Sequence, residues 1–556
     1  MDREDKGQIP APHQRRRSFR CRLAPVLLAA ALQSCGGGGP AAPPTPFPDF
    51  TVAVSPGSLT AIEGSTSDAA TVSVTALHGF TGSVAVAVSG LPAGATTNPA
   101  SPLVVSASSP QQFTVATSEA TPTGTVTLAL HATSGSLAHD ASVSLTTGPV
   151  IQTSQTGTVL YLQSHANGHT ARIGLDTRWG GSIVEVSMDG TNFVNAHDTG
   201  REVQPATYDG AATYHLCAGC SGGYGWDPVL GGDYYNHGSP VLSQRVAPGS
   251  LYTQAIPLQW WPDNFGGGPS TAVPSDMMFE QTVSMAPGAS TAFKVHIKLT
   301  HSGTDYHYNT GQEFPAVYVN SIYTTFAYYA GASPWTRGSL TKTTASVTPV
   351  PDVYAPELSA ALVDTNDQGL TVFVPGSYPF WTSASFPQSG GSGPAGDATV
   401  YMRPMVTFAV APGAVIEGDV YLIPGDADAA RSVVYALNES LPTADISTPI
   451  ATLDTPAAHG TIAGTNVAVS GWAIDNVAVA TVSVYVDGVM TATVTPDIAR
   501  PDVVAAYPHV ATLNCGWSYT LDSTGLTNGS HSLAIHTIDT SNNEAILSPI
   551  SVTVSN

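Results

Sequence analysis

Charged residues are scarce in this 556-residue chain, and basic residues are the scarcest of them. Only 10% of the residues are charged, with 18 Lys and Arg against 40 Asp and Glu, whereas an ordinary soluble domain has about 25%. Seven of the basic residues lie within the first 22 positions. The rest of the chain has no basic stripe to neutralise phosphates, which excludes a nucleic-acid-binding protein and disfavours attachment to an anionic membrane surface.

Long apolar runs are also missing, because no stretch of 18 consecutive apolar residues occurs and a membrane-spanning helix needs about that length. The N-terminus instead has basic residues at 15–22 and a ten-residue apolar run at 23–32, the pattern of an export signal. Leu32-Gln33-Ser34-Cys35 follows and resembles the lipobox of bacterial lipoproteins. The resemblance implies a lipoprotein signal peptide over residues 1–35 and a lipid on Cys35 as the only membrane attachment. An ordinary cleaved signal peptide is the alternative.

Export places the chain at the bacterial cell envelope, facing either the periplasm or the surface, where conditions are oxidising. Of five cysteines, Cys217, Cys220 and Cys515 follow the signal. Cys217 and Cys220 form one CxxC, which lacks the further ligands that zinc requires, so we predict a disulfide between them and a lone buried thiol at Cys515. No metal or cofactor is predicted from motif spacing, and Ca²⁺ held by Asp and backbone oxygens stays open.

Glycine and proline are frequent, with 54 and 43 residues scattered as turn residues, and short alternating apolar segments lie between them. This pattern predicts an all-β protein. Residues 36–49 form a flexible linker, and residues 50–148 and 447–556 each resemble Ig-like β-sandwich modules of secreted bacterial proteins. Asp487-Gly488 predicts a hairpin in the second module. Residues 150–445 hold many longer strands, which predicts a large β-super-sandwich between the two Ig-like domains.

The central segment carries a second resemblance. The sequence GLDTRWGGSIVEVSMDGTNFVNAHDTG from residue 174, together with QEFPAVYVN and VYLIPGDADAAR, resembles galactose-mutarotase-like domains of secreted carbohydrate-active proteins. The resemblance implies a super-sandwich fold, a glycan substrate, and a Glu and a His that transfer protons at a sugar. It contains no motif that identifies one reaction.

Three groups of residues are candidates for the site. Among the acid–base candidates, Glu313 precedes an apolar strand beside a His- and Tyr-rich loop, so we expect it to act as general base or acid with His301 or His307 as its partner. Arg201 is the candidate for stabilising developing charge, and Asp198 for a second carboxylate. A salt-bridged loop at Asp198 and a buried structural carboxylate at Glu313 are the structural alternatives.

The remaining candidates are polar and aromatic residues on the strand-to-loop segment after Asn195 and on a long Gly-rich loop, together with three tryptophans further along the chain. Aromatic faces can stack on sugar rings, and nearby Asp, Gln and His side chains can bond the hydroxyls. The predicted substrate-binding residues are His197, Gln204, Tyr208, Tyr224, Trp226, Asp233, His237, Trp260, Trp261 and Trp381. For each tryptophan, packing in the core is the alternative.

These residues predict an extracytoplasmic carbohydrate-active enzyme that acts on a polysaccharide or oligosaccharide. Glycoside hydrolysis needs two carboxyl groups that flank the bond, with Glu313 and Asp198 or Asp233 as candidates, and it is the first hypothesis. A polysaccharide lyase with Tyr208 as its acid, a sugar epimerase, and a non-catalytic glycan-binding lipoprotein are the alternatives. An enzyme should bring Glu313 close to a second ionisable group.

Overall fold

The computed structural model describes residues 46–195, 202–209, 226–260, 271–345, 353–376, 380–386, 399–441, 445–507, 510 and 512–556. In these residues the chain is almost entirely β, and its strands form three pairs of sheets along the sequence. The predicted fold class, a large all-β super-sandwich with an Ig-like β-sandwich on each side, is confirmed. None of the helices in the described ranges is both long and apolar enough to cross a bilayer.

The first sandwich packs a four-stranded sheet, ordered β1-β3-β7-β5, on a five-stranded sheet, ordered β2-β9-β8-β4-β6. Its strands are β1 Asp49–Ser55, β2 Ser58–Ile62, β3 Ala70–Leu77, β4 Val84–Ser89, β5 Thr96–Asn98, β6 Leu103–Val105, β7 Gln111–Ala116, β8 Gly124–Ser134 and β9 Leu137–Gly148. Alternate side chains point inward, as Val84, Val86 and Val88 do on β4, because successive strand residues face opposite sides of a sheet. The inner faces meet around Phe50 and Phe113.

The central super-sandwich contains the next 21 strands. They are β10 Val150–Thr156, β11 Val159–Ala166, β12 His169–Asp176, β13 Ser182–Met188, β14 Thr191–Asn192, β15 Val203–Ala206, β16 Pro228–Val229, β17 Val241–Ala247, β18 Ser250–Ala255, β19 Leu258–Gln259, β20 Met277–Met285, β21 Phe293–His301, β22 His307–Asn320, β23 Thr325–Tyr328, β24 Thr341–Thr344, β25 Val353–Tyr354, β26 Ser359–Val363, β27 Gln368–Phe373, β28 Phe380–Phe386, β29 Thr399–Val410 and β30 Val415–Asp426. A 3₁₀ turn, Thr177–Trp179, follows β12.

Two sheets enclose the central core. The larger sheet runs β10-β11-β12-β13-β15-β22-β29-β28-β25, with β14, β16 and β19 attached at its side, and the smaller sheet runs β17-β18-β20-β21-β30-β27-β26-β23-β24. Aromatic and branched side chains from both sheets, among them Phe279, Phe293 and Phe314, are fully buried between them. Burial of this much apolar surface is the main stabilising contribution to the domain. The outer face of the larger sheet carries polar residues, among them Glu313 and Arg403.

A helix covers the opposite side of the smaller sheet. Helix α1, Ala427–Ser440, begins at Asp426, whose carboxylate accepts a hydrogen bond from the backbone of Ala429, a common way to satisfy a free helix amide. Its buried residues pack against Phe373 and Tyr421. The helix thereby buries the outer face of β27 and β30.

The C-terminal sandwich pairs a three-stranded sheet, β31-β33-β36, with a sheet ordered β32-β39-β37-β34-β35, to which β38 adds. Its elements are β31 Ile450–Thr455, β32 Thr461–Ile462, β33 Val467–Ile474, β34 Val479–Val486, β35 Val489–Val494, α2 Pro501–Ala506, β36 Gly516–Leu521, the 3₁₀ turn Ser523–Gly525, β37 Gly529–Asp539, β38 Glu544–Ile546 and β39 Ile550–Val554. Asp487 and Gly488 join β34 to β35 with φ angles of 51° and 76°, which confirms the predicted hairpin. Cys515 is a free, buried cysteine, as predicted.

Polar contacts hold the central domain to both neighbours. Glu63 of the first sandwich, only 3% exposed, accepts hydrogen bonds from the backbone of Asn167 at 2.8 Å and from His165 Nδ1 at 3.0 Å. At the other junction, carboxylate oxygens of Asp445, Asp475 and Asp539 lie within 4.8 Å of one another. Burial there raises the pKa of Asp475 to about 7.

Candidate functional site

The outer face of the larger sheet carries an ionisable cluster. On β29, Val400 and Met402 point into the core and are fully buried, so Tyr401 and Arg403 point outward. The neighbouring strand β22 brings Glu313 to the same place, although its pairing with β29 shifts register between Glu313 and Val317. Irregular pairing of this kind can re-aim a side chain. Strand alternation and this irregularity together position the cluster.

Tyr208, Glu313, Tyr401 and Arg403, which we call the Glu313 cluster, are in direct contact. Arg403 Nη1 donates to the hydroxyl oxygen of Tyr208 at 2.8 Å and to Glu313 Oε1 at 2.9 Å. Tyr401 donates its hydroxyl proton to the same carboxylate oxygen. The side chains of Arg403 and Glu313 keep 25% and 16% of their surface exposed, so solvent or a ligand can reach them.

The main chain at Tyr208 is fixed by the residue next to Glu313. The side-chain oxygen of Gln312 accepts a hydrogen bond from the Tyr208 backbone N–H at 2.7 Å, and its amide nitrogen donates to the Tyr208 carbonyl at 3.2 Å. Gln312 is 1% exposed. Because a buried amide with both ends bonded resists displacement, Tyr208 is held rigidly opposite Arg403.

The environments of the two tyrosines differ. Burial, with the nearby Glu313 carboxylate, raises the pKa of Tyr401 well above its ordinary value, so Tyr401 stays a neutral donor. Burial acts to lower the pKa of Arg403, but the surrounding Tyr401, Tyr208 and Glu313 outweigh it and raise that pKa. The guanidinium is therefore a permanent positive charge, and it stabilises negative charge on any oxygen to which it donates.

Asp276, His301, Asp305 and His307, which we call the His301 cluster, form a second group. His301 Nδ1 donates to the carbonyl of Ala411 at 2.8 Å, and His301 Nε2 lies 3.2 Å from Asp276 Oδ2 and 3.6 Å from Asp305 Oδ1. His307 Nε2 lies 3.7 Å from Asp305 Oδ2. Burial acts to raise the pKa of Asp276, but hydrogen bonds from His301 and Trp226 outweigh it and lower that pKa to about 2.

Asp209 connects the two clusters. It follows Tyr208 in the chain, and its Oδ2 accepts the backbone N–H of Tyr308 at 3.0 Å and lies 3.7 Å from His307 Nδ1. Strand β22 also carries both His307 and Glu313. The two clusters are therefore neighbours along one strand.

The structure gives Glu313 partners that differ from the predicted ones. We expected His301 or His307 beside it, but the contacts of Glu313 in the described residues are with Tyr401 and Arg403. The histidines belong to the His301 cluster instead. Of the predicted residues whose side chains the structure describes, Tyr208 and Glu313 meet around Arg403.

Several predicted substrate-binding residues have structural positions. Trp226 is 4% exposed, stacks on His307 with ring centroids 3.6 Å apart, and donates its indole N–H to Asp276, so its face is not open to a sugar. Gln204 is 3% exposed and its side-chain oxygen accepts from Ser182 and Gly231. Both side chains are therefore part of the buried interior.

Asp233 and His237 stabilise a loop through hydrogen bonds. The Asp233 carboxylate, 3% exposed, accepts from the backbone amides of Tyr235 and His237 and lies 2.7 Å from His237 Nδ1. These contacts cap a turn, which corrects the prediction that Asp233 binds substrate or serves as a second catalytic carboxylate. Trp260 is partly exposed and packs edge-on against Tyr234.

For the remaining predicted site residues, the structure describes at most the backbone. Trp381 is one of these, and it lies on β28, where its backbone pairs with Pro404 of β29. Residues that fall outside the described ranges are Cys35, His197, Asp198, Arg201, Cys217, Cys220, Tyr224 and Trp261.

The sequence did not identify Tyr401 and Arg403 of the Glu313 cluster as site residues. It also did not identify the carboxylates Asp209, Asp276 and Asp305. The available signal for the first pair was the alternation in Tyr401-Met402-Arg403, where two polar residues flank an apolar one on a strand. That pattern places both on one outward face. It does not say which strand lies beside them.

Comparison with known protein families matches one part of the chain. Residues 449–535, within the C-terminal sandwich, match the family described as Bacterial Ig domain. Comparison with curated protein sequences gave no match.

Among solved structures, similar chains include a polysaccharide lyase, with 9% identity and a TM-score of 0.28 over 69% of this chain and 46% of that one. An endo-β-1,4-mannanase from Thermotoga petrophila has 16% identity and a TM-score of 0.15 over 24% of this chain and 25% of that one. Fibronectin(III)-like modules of Clostridium thermocellum CbhA have 12% identity and a TM-score of 0.14 over 47% of this chain and 84% of those modules. This chain thus spans less than half of the lyase and a quarter of the mannanase.

Proposed function

We propose that this protein is an exported carbohydrate-active enzyme that cleaves an acidic polysaccharide by β-elimination at the Glu313 cluster. One observation carries the proposal: a single guanidinium nitrogen of Arg403 donates both to the phenol oxygen of Tyr208 and to the carboxylate of Glu313. A partly exposed cation beside a phenol on the outer face of the sheet suits a substrate that carries a carboxylate.

In β-elimination at a uronic acid, a base removes the proton on the carbon next to the carboxyl group. The electron pair of that C–H bond becomes a C=C bond as the glycosidic C–O bond breaks, and the departing oxygen takes up a proton. Tyr208 takes the proton as its phenolate and returns it as the phenol, because Arg403 stabilises the negative charge on its oxygen. Tyr401, neutral through burial, keeps Glu313 oriented.

Arg403 also offers a place for the substrate carboxylate. Its side chain is 25% exposed, so part of the guanidinium can meet a ligand while one nitrogen contacts Tyr208 and Glu313. A guanidinium edge binds carboxylates through parallel N–H groups. The same cation would then hold the substrate and stabilise charge during proton transfer.

Glycoside hydrolysis, the first hypothesis from the sequence, needs a second carboxyl group about 5 to 9.5 Å from Glu313. The groups that touch Glu313 in the described residues are a cation and a phenol, and Asp233 is used in a turn. Asp198 stays a candidate for that second carboxyl group. Elimination needs only groups that the cluster brings together.

The experiment incubates the purified protein with uronate-containing and neutral polysaccharides and analyses the products by ultraviolet absorbance and mass. We expect products with an unsaturated sugar at the new end, from acidic polysaccharides only. Products that have gained water would establish hydrolysis instead. Tight binding without any product would establish the non-catalytic alternative.

Export and lipidation at Cys35 are a separate part of the proposal, supported by the basic residues, the short apolar run and the cysteine that follows them. Expression in a bacterium fed a labelled fatty acid should label the wild-type protein and not the Cys35→Ser variant. Equal labelling of the two proteins, or none in either, would contradict the anchor.

A further inference from the structure

We propose that the His301 cluster binds one divalent transition-metal ion of the zinc class. The ligands are His301 Nε2, His307 Nε2 and one carboxylate oxygen each from Asp276 and Asp305. These four residues offer ligand atoms that all lie within 4.8 Å of one another. The site does not depend on the reaction proposed for the Glu313 cluster.

The orientation of His301 supports this assignment. Its Nδ1 donates to the Ala411 carbonyl at 2.8 Å, and a carbonyl can only accept, so Nδ1 carries a proton. Its Nε2 donates to Asp276 Oδ2 at 3.2 Å and lies 3.6 Å from Asp305 Oδ1. A metal ion can replace the Nε2 proton, because loss of that proton leaves a lone pair aimed at the same two anionic oxygens.

His307 supplies an independent observation. Its side chain is only 2% exposed, and neither ring nitrogen has a hydrogen-bond partner among the residues that the structure describes. Burying polar atoms without partners is costly, and such atoms need an explanation. Coordination through Nε2, which faces Asp305, would satisfy one of the two nitrogens.

The spacing of the ligand atoms fits one small ion. Zinc bonds to His nitrogen and carboxylate oxygen at about 2.0–2.2 Å, so two ligands of one tetrahedral zinc lie roughly 3.3–3.5 Å apart. His301 Nε2 lies 3.2 Å from Asp276 Oδ2 and 3.6 Å from Asp305 Oδ1, and His307 Nε2 lies 3.7 Å from the other Asp305 oxygen. Two imidazoles in the set favour zinc or a similar transition metal over Ca²⁺ and Mg²⁺, which prefer oxygen ligands.

The surroundings orient the ligands and keep the space between them open. Trp226 donates to Asp276 Oδ1 at 2.9 Å and stacks on His307, and such outer contacts are typical of metal sites. At Gly303, a Cβ atom would lie 2.3 Å from Asp276 Oδ2 and 2.4 Å from His301 Nε2. Any other residue at 303 would therefore project a side chain among the ligand atoms.

An ion can reach the site from one side. The side chains of His301 and His307 are 0% and 2% exposed, whereas those of Asp276 and Asp305 are 33% and 56% exposed. The two carboxylates thus form the open side, and the two imidazoles form the buried wall. A site of this form captures an ion from solvent and holds it against the interior.

The test measures zinc binding by the full-length protein after treatment with a chelator, by calorimetry and by metal analysis after dialysis. We expect one zinc per chain and a melting temperature that rises on zinc addition, because binding to the folded state stabilises it. His307→Phe keeps an aromatic ring against Trp226 and removes the ligand nitrogen. It should bind zinc at least tenfold more weakly, whereas the control His296→Phe should bind like wild type.

Asp305→Asn provides a second variant if His307→Phe does not fold, because the exposed Asp305 side chain can change without disturbing the core. It should also lose at least tenfold in zinc affinity. Wild-type protein that binds no zinc would overturn the proposal. So would folded variants that bind one zinc with unchanged affinity.

Discussion

At the residue scale, the geometry of the Glu313 cluster depends on the hydrogen bonds of one guanidinium nitrogen. Arg403 Nη1 bonds Tyr208 and Glu313 together, and Tyr401 bonds the same carboxylate. A small change in the shape of this cation should therefore separate the three groups without unfolding the protein.

Arg403→Lys tests that dependence. A lysine ammonium lacks the planar fork of arginine and cannot reproduce its geometry, so we expect turnover to fall on the order of 10²-fold, as when one charge-stabilising donor is lost. Initial rates on an acidic polysaccharide measure the effect, and Arg245→Lys, which lies on a different sheet, should retain the wild-type rate. Equal rates for the two variants would contradict the role of Arg403.

Trp226→Phe tests the structural position of Trp226. The phenyl ring can still stack on His307, but the hydrogen bond to Asp276 is lost, so the free energy of unfolding should fall by about 1–3 kcal/mol. Denaturant unfolding measures this change, and the KM for substrate should stay at its wild-type value. A raised KM with unchanged stability would show instead that Trp226 is a sugar platform.

The sequence pointed to Glu313 and Tyr208 but not to their partners. Glu313 stands out as a carboxylate beside a His- and Tyr-rich loop, and proximity in the chain made those histidines its expected neighbours. Its actual partner, Arg403, lies 90 residues further along, on a strand that becomes adjacent only in the folded sheet. Residue types can be read locally, whereas strand neighbours depend on the whole sheet order.

At the element scale, local signals were sufficient where one turn determines the geometry. Asp487-Gly488 adopts two left-handed residues in succession, which Asp and Gly tolerate, so the hairpin was predictable. Helix α1 was missed, although its N-terminal Asp426 cap is present in the sequence. Its apolar stripe is short, so most of its stability comes from packing on the sheet.

Arg431→Met tests how α1 is attached to the smaller sheet. Arg431 forms two hydrogen bonds to Glu357, at 2.7 and 2.8 Å, and Glu357 is 1% exposed. Removing the cation leaves a buried carboxylate with only neutral donors, the Tyr435 hydroxyl and the Trp335 backbone N–H, so the free energy of unfolding should fall by about 3–5 kcal/mol.

Arg172→Met is the matched control for that change. Arg172 makes the same paired contact with Glu185, but its side chain is 43% exposed, so its loss should cost no more than about 1 kcal/mol. Chemical denaturation of both variants gives the comparison. Similar losses for both would show that burial of the Glu357 pair is unimportant.

At the scale of the whole molecule, the order of three sandwiches was predictable because alternating strands and turn residues recur along the chain. The junctions between them were not. The carboxylate of Asp445, at the end of the central domain, lies beside those of Asp475 and Asp539 in the C-terminal sandwich. Such contacts join residues far apart in the sequence.

This junction predicts a dependence of stability on pH. Burial raises the pKa of Asp475 from 3.8 to about 7, so between these values the folded state holds a proton that the unfolded state has released. Stability should therefore fall as pH rises from about 4 to 7, by at most about 1.4 kcal/mol per pH unit for one proton.

Melting temperatures measured in chelator across this range check the prediction. Asp475→Asn removes the ionisation, so its advantage over wild type should grow as pH rises, whereas the exposed control Asp497→Asn should follow the wild-type curve. An Asp475→Asn curve parallel to wild type would contradict the raised pKa of Asp475.

The most direct test of the central claim is the initial rate of unsaturated-product release by Tyr208→Phe, which loses only a hydroxyl group. Proton transfer by a positioned side chain contributes about 10²–10⁴-fold to a rate, so we expect a loss of that size. Tyr161→Phe removes a hydroxyl from a tyrosine that lies beside Arg172 instead and should keep the wild-type rate. A Tyr208→Phe variant that releases the same products at the wild-type rate would contradict the account.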